Sequence, residues 1–266
     1  MAAHVSDRVF ALDFDGVVCD SARETALSAW LTGRHIWPRW GRSEPSEALI
    51  QAFRRVRPVL HTGYEAVVLL RLLDRGVPEE KILSDHVRFR EWLLEEEQLD
   101  RNTLLRMFGE ARDNWIKEDF EGWLNTHAFF DGIPLALQEA VSRFPVFILT
   151  TKQERFVTLL LASQGVHLAD EAVFGLESGK SKSDVLQELM RRPAYRNAVF
   201  HFVEDRLPAL EKIPPQVAGE LRMYLAGWGY NTKEQRVRGE CLSNVALLRT
   251  ESQLAALLRG KSAEPE

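Results

Sequence analysis

Two carboxylates stand one residue apart in Phe10-Ala-Leu-Asp-Phe-Asp-Gly-Val-Val-Cys-Asp20, directly behind an apolar run. In a strand, alternate side chains share a face, so Asp13 and Asp15 project from the same side and can serve one site. Gly16 frees the backbone to turn, which keeps both acids at the strand's carboxyl end, where open α/β sheets bind ligands. A carboxylate nucleophile beside a second carboxylate that gives and takes a proton suits phosphoryl chemistry.

Three more groups end apolar runs in the same way: Thr150 after Val146-Phe-Ile-Leu149, Lys180 in Gly179-Lys-Ser-Lys-Ser-Asp184, and Glu204-Asp205 after Phe202-Val203. Carboxylates alone repel a phosphate dianion. A divalent cation must therefore neutralise them, and hard oxygen donors with room for substrate and water suit Mg²⁺, with Asp13 and Asp205 its natural ligands. Lys180 and the Thr150 hydroxyl then hold the transferring oxygens. Thr151 is the alternative to Thr150, and Lys182 the alternative to Lys180.

The elements that must position these groups follow from the hydrophobic pattern. From Phe130 onward, short apolar runs alternate with helical segments, the mark of an α/β fold with a parallel sheet. The expected strands are Pro145 to Leu149, Ala172 to Phe174, Val199 to Val203, Met223 to Ala226 and Val245 to Leu248. Thr250-Glu-Ser-Gln253 reads as a capping box opening the last helix, and the tail Lys261 to Glu266 as loose. Residues 19–127 read instead as successive helices without a strand, an insert interrupting a core made of 1–18 and 128–266. Within the insert, Ser46, Arg57, Gly76 and Pro78 punctuate the helices, and Glu95, Glu96 and Glu97 read as a solvated face.

The chain has 266 residues with 45% hydrophobic and 27% charged, which excludes collagenous, coiled-coil and disordered classes. A net charge of -5 provides no general basic field, so neither nucleic acid nor an anionic membrane is the expected partner. Two cysteines, Cys19 and Cys241, make no disulfide framework and no zinc spacing. No apolar run is long enough to span a bilayer and no signal segment is visible, so the expected location is cytoplasmic.

Taken in order, Asp13-Phe-Asp-Gly-Val17, Leu149-Thr-Thr-Lys152, Gly179-Lys180 and Val203-Glu-Asp205 resemble the four motifs of the haloacid dehalogenase-like hydrolase superfamily, in its phosphatase and β-phosphoglucomutase branch. Ala226-Gly-Trp-Gly-Tyr-Asn231 is similar to a stretch that follows the fourth motif in many relatives. The resemblance implies a Rossmann-like core whose parallel sheet is flanked by helices, with the insert as a helical C1-type cap. It implies Asp13 as the nucleophile that becomes an aspartyl-phosphate. Asp15 becomes the general acid/base, its main-chain carbonyl also reaching Mg²⁺. Thr150 and Lys180 become phosphate ligands, Asp205 a direct metal ligand, and Glu204 a further acid of the metal site.

Within that resemblance, an aspartate at position 15 implies phosphate chemistry and not dehalogenation. The expected substrate is a small phosphorylated metabolite, bound with help from Gly16 and Thr151, and from Arg57 and Tyr64 in the insert. Hydrolysis is the first reading. A β-phosphoglucomutase-like phosphoryl transferase is the second, and a non-catalytic phosphometabolite-binding or partner-binding protein the third.

Overall fold

The computed structural model describes residues 6–261; the residues of the expected loose tail beyond Lys261 lie outside the described part. The chain enters through β1 (Arg8–Leu12) and the two-residue β2 (Cys19–Asp20). Seven helices follow: α1 (Ala22–Gly33), α2 (Glu47–Val56), α3 (Gly63–Asp74), α4 (Glu79–Ser84), α5 (His86–Glu96), α6 (Arg101–Glu118) and α7 (Phe120–Leu124). After β3 (Ala128–Phe129) the pattern becomes α8 (Ile133–Val141), β4 (Val146–Leu149), α9 (Glu154–Ser163), β5 (Val173–Phe174), α10 (Lys182–Arg191) and β6 (Val199–Glu204). It closes with α11 (Leu207–Glu211), α12 (Pro215–Ala218), β7 (Leu221–Ala226), α13 (Lys233–Glu240), β8 (Val245–Leu248) and α14 (Glu251–Leu258).

Two compact units result, one running to Asp20 and resuming at Phe129, the other Ser21–Ala128. The first is built on a six-stranded sheet in the order β5-β4-β1-β6-β7-β8, with every neighbouring pair parallel. Parallel strands need crossovers and covered faces, which is why these strands read as near-continuous apolar runs. Val9 pairs with Phe200, and Ala11 with both Phe147 and Phe202. These residues line one face with Met223 and Leu225 and pack on Val185, Leu186 and Leu189 of α10 and Leu207 and Leu210 of α11. Asp13 continues the odd-numbered set past the end of β1, with its N–H donating to Val203 O at 2.9 Å.

The opposite face carries Phe10, Leu12, Ile148 and His201. His201 is 2% exposed, stacks on Phe10 with ring centroids 5.1 Å apart, and its Nδ1 lies 3.0 Å from Tyr224 Oη. It is a core histidine.

The helical unit has its own core, in which Trp30 and Trp40 stack at 4.4 Å beside Phe53, Leu70, Leu72, Leu93 and Phe108. Ser46 caps α2 through Leu49 N–H. The solvated face expected of Glu95, Glu96 and Glu97 holds only in part. Glu97 accepts from Trp37 Nε1 at 2.6 Å and from Arg71 Nη2 at 2.9 Å, since tertiary packing brings α3 beside α5 and gives its charge partners. Glu24 is fully buried, paired to Arg112 through two bonds of 2.6 Å. Among the described residues no helix is long and apolar enough to cross a membrane.

Candidate active site

β1 lies at the middle of the sheet between β4 and β6, so the chain leaves it at the point where crossovers diverge to either side. That is where open parallel sheets place a ligand crevice. Asp13, Thr150, Glu204 and Asp205 all fall at or just past carboxyl ends of β1, β4 and β6.

The turn after β1 is closed by Val17, Val18 and Cys19 N–H groups, all donating to Phe14 O. Phe14 N–H donates to Asp13 Oδ1 at 2.8 Å. Gly16 sits at φ +89°, and a Cβ there would lie 2.0 Å from Asp205 Oδ2. From the other side, a Cβ at Gly229 would lie 2.3 Å from Asp205 Cβ and 2.4 Å from Gly16 O. Two glycines thus form a cradle for Asp205. Tyr230 N–H holds Asp205 Oδ2 at 2.6 Å, and the Asn231 amide donates to Asp205 O and Ala226 O, each at 2.8 Å. The stretch Ala226–Asn231 therefore has a structural role that the sequence reading left unassigned.

The lysines divide differently from expectation. Lys182 Nζ lies 3.0 Å from Asp13 Oδ1 and 2.5 Å from Glu204 Oε2. Lys180, expected to be the phosphate-binding lysine, points elsewhere: its ammonium meets Glu188 Oε2 at 2.5 Å, and its side chain is 46% exposed. The reason is the path of the loop. Gly179 takes φ +65°, Ser181 caps α10 through Asp184 N–H, and Lys182 becomes the first residue of that helix.

A further lysine was missed. Lys152, 4% exposed, places its Nζ 3.2 Å from Asp15 Oδ1. It was visible as the last residue of the motif Leu149–Lys152, but no local spacing pairs it with a residue 137 positions away. Thr150 is buried and its Oγ1 accepts from Lys152 N–H at 3.1 Å, whereas Thr151 is exposed.

Four carboxylates around two ammonium groups leave an excess of negative charge. Burial raises the Asp13 pKa, with Glu204 and Asp15 adding to it against the pull of Lys182, to about 7. Asp205 is pushed well above the usual carboxylate range by burial and by Glu204 and Asp13. For Glu204 burial also works upward, but Lys182 overrides it and holds the carboxyl below its ordinary value. Burial disfavours the Lys182 ammonium, yet Asp13 and Glu204 hold it above the usual lysine value.

Such a cluster fits a divalent cation. Donor atoms of Asp13, Glu204 and Asp205, all buried, lie within 4.8 Å of one another. Asp205 Oδ1 is buried with no hydrogen-bond partner, while its other oxygen is held by Tyr230. An orphaned carboxylate oxygen at a crevice is costly without a ligand. Glu204 is less available: Lys182 occupies Oε2 and Arg206 N–H donates to Oε1 at 3.1 Å. The two expected insert residues lie in the helical unit, Arg57 at 6% exposure and Tyr64 packed against its core. Burial raises the Tyr64 phenol above its ordinary pKa.

No family model matches the sequence, and no curated protein matches it. Solved structures do. A haloacid dehalogenase-like family hydrolase from Streptococcus pneumoniae superposes with a TM-score of 0.55 at 14% identity, covering 94% of this chain and 98% of that one. A structure described as a predicted phosphoglycolate phosphatase from Haemophilus somnus gives 0.59 at 13% identity, covering 95% and 98%. A Mycobacterium tuberculosis protein described as Protein Tyrosine Kinase A gives 0.53 at 18% identity, covering 95% and 98%. The descriptions of these neighbours differ while the architecture persists, as expected where function resides in a site grafted on a fold. Over nearly its whole length, the chain has the fold of the haloacid dehalogenase-like hydrolases.

Proposed function

We propose that this chain is a phosphatase that hydrolyses a small phosphorylated metabolite through an aspartyl-phosphate on Asp13, with Mg²⁺ as cofactor. The observation that carries the reading is the buried group of Asp13, Asp205 with its orphaned oxygen, and Lys182 bridging Asp13 and Glu204. The phosphatase and hydrolase descriptions of structural neighbours support it.

In this reading an Asp13 carboxylate oxygen attacks phosphorus and the bond to the leaving oxygen breaks, with Asp15 supplying a proton to the alcohol. Water then attacks the same phosphorus, gives its proton to Asp15, and the Asp13–phosphorus bond breaks to release inorganic phosphate. Lys182 and Thr150 hold the transferring oxygens as charge spreads over them. Lys152, on Asp15 Oδ1, fixes that carboxylate's orientation between the two steps. Asp13, the Asp15 carbonyl and Asp205 would hold Mg²⁺, which when bound would supply the positive charge that lets a carboxylate approach a phosphate dianion. Substrate recognition is assigned to the helical unit, which is inserted between β1 and β4 and carries Arg57 and Tyr64.

The test is phosphate release from a panel of phosphomonoesters with Mg²⁺, run beside Asp13→Asn. Release by the wild type and not by the variant is the expected result. Equal release by both sinks the assignment of Asp13. Conversion of a sugar phosphate to its isomer with total organic phosphate conserved would replace hydrolysis with phosphoryl transfer.

A further inference from the structure

The loop of residues 175–181 delivers Lys182 to the site. One carboxylate accepts three of its main-chain N–H groups. Glu154 is the first residue of α9, just past the motif that carries Thr150 and Lys152. Its Oε1 accepts from Gly175 N–H and from Ser178 N–H, each at 2.8 Å, and its Oε2 accepts from Glu177 N–H at 3.0 Å. Three main-chain donors thus converge on one side chain, and hydrogen bonds to a carboxylate are of the stronger kind.

The surroundings reinforce the clamp. Leu176 N–H donates to Lys152 O at 3.1 Å, so the main chain of the Lys152 segment grips the same loop. Gly175 is packed so closely that a Cβ there would lie 2.3 Å from Lys152 O and 2.9 Å from Glu154 Cδ. Arg155 pairs with Glu177. Inside the loop, Ser178 Oγ donates to Gly175 O at 2.7 Å and accepts from Lys180 N–H at 3.3 Å, passing the constraint toward the Ser181 cap. Lys182 follows directly, with its ammonium on Asp13 and Glu204.

We propose that Glu154 is a positioning residue that sets Lys182 against Asp13 by clamping the loop before α10. It also explains which of two lysines, two residues apart, reaches the site: the clamp fixes where the helix starts, and the helix start fixes which ammonium turns inward. The consequence for turnover rests on the phosphatase reading; the placement of Lys182 does not.

The experiment therefore has two arms on the full chain. In the first, lysines are acetylated with an amine-reactive ester under native conditions and rates are read by peptide mass spectrometry, with exposed Lys180 as internal reference. Wild-type Lys182 should react at least about tenfold more slowly than Lys180, because its ammonium is tied up in a part-buried ion pair. Glu154→Ala should raise the Lys182 rate roughly fivefold or more relative to that of the already exposed Lys180, as local release of the loop predicts. Glu154→Gln, which keeps the shape and one acceptor oxygen, should fall between and serves if the alanine variant does not fold. An unchanged Lys182 rate in a folded Glu154 variant overturns the proposal.

In the second arm, Glu154→Ala should lower kcat about tenfold to a hundredfold with KM little changed, the scale of misplacement by about an ångström. In a Lys182→Ala background the same substitution should add nothing, because both act through one group. Additive losses overturn it. If the wild type hydrolyses no phosphomonoester, the phosphatase reading falls while the acetylation arm still decides the role of Glu154.

Discussion

Exchanging the two candidate lysines for alanine, one at a time, separates the geometry seen here from the spacing in the sequence. At 3.0 Å from Asp13 and 2.5 Å from Glu204, the Lys182 ammonium has Coulomb interactions of about 5–7 kcal/mol with each at an effective dielectric of about 20. Desolvation offsets most of that, because Glu204 is 1% and Asp13 9% exposed at the side chain. What remains on deleting one partner is the cost of carboxylates buried without their cation, about 3–5 kcal/mol. The lower end applies near neutral pH, where Asp13, its pKa raised to about 7, escapes part of the penalty by taking up a proton. Lys182→Ala should therefore lower the urea midpoint by an amount corresponding to about 3 kcal/mol, and kcat for phosphate release about 10²–10³-fold. Lys180→Ala removes an exposed pair with Glu188 and should change neither quantity beyond measurement error. Urea unfolding followed by circular dichroism, with phosphate release on the same samples, reads both. The reasoning is refuted if Lys180→Ala removes activity while Lys182→Ala retains it.

Gly16→Ala should cost roughly 1–3 kcal/mol, since it forces a side chain into a left-handed turn and sets its Cβ 2.0 Å from Asp205 Oδ2. Displacing Asp205 should also weaken Mg²⁺ binding by calorimetry; unchanged affinity would show that Asp205 does not hold the ion. A separate prediction concerns pH. Burial, reinforced by Arg8 and Arg222, lowers the His201 pKa from 6.5 to about 4. Between these values the unfolded chain takes up a proton that the folded chain refuses, so the contribution is fully present above 6.5 and is lost as pH falls toward 4. The loss reaches about 3 kcal/mol. Asp13 and Asp205, whose pKa values are raised, act in the opposite sense, so the informative quantity is the difference between wild type and His201→Gln. That difference should shrink as pH drops from 6.5 to 4 in urea titrations; a constant difference would contradict a proton-refusing histidine.

Much of the frame was legible because the signals are local. Each expected strand after Phe130 appears with small changes at its ends, since a strand buried on both faces must be an apolar run. The capping box at Thr250 is present because an N-cap hydroxyl and an amide three residues later satisfy each other without tertiary help. The insert was expected over 19–127 without a strand; the compact helical unit is Ser21–Ala128, and Cys19–Asp20 form the short strand β2 before it. At the site, Asp13, Thr150, Glu204 and Asp205 lie at or just past the carboxyl ends of β1, β4 and β6, whereas β1 ends at Leu12, so the turn and not strand alternation sets where Asp15 stands.

By itself, then, the sequence determined the α/β pattern, because periodicity and turn chemistry are properties of short segments. Only the tertiary structure decided which cations meet the acids of the site. Lys180 and Lys182 are chemically alike and two residues apart, and their fates are separated by a loop that turns at Gly179 and is pinned by Glu154 from another helix. Lys152 reaches Asp15 and Trp37 reaches Glu97 across stretches of chain that no local pattern links. Charge partners are chosen by distance in space, and that distance exists only once the strands have paired and the helices have packed.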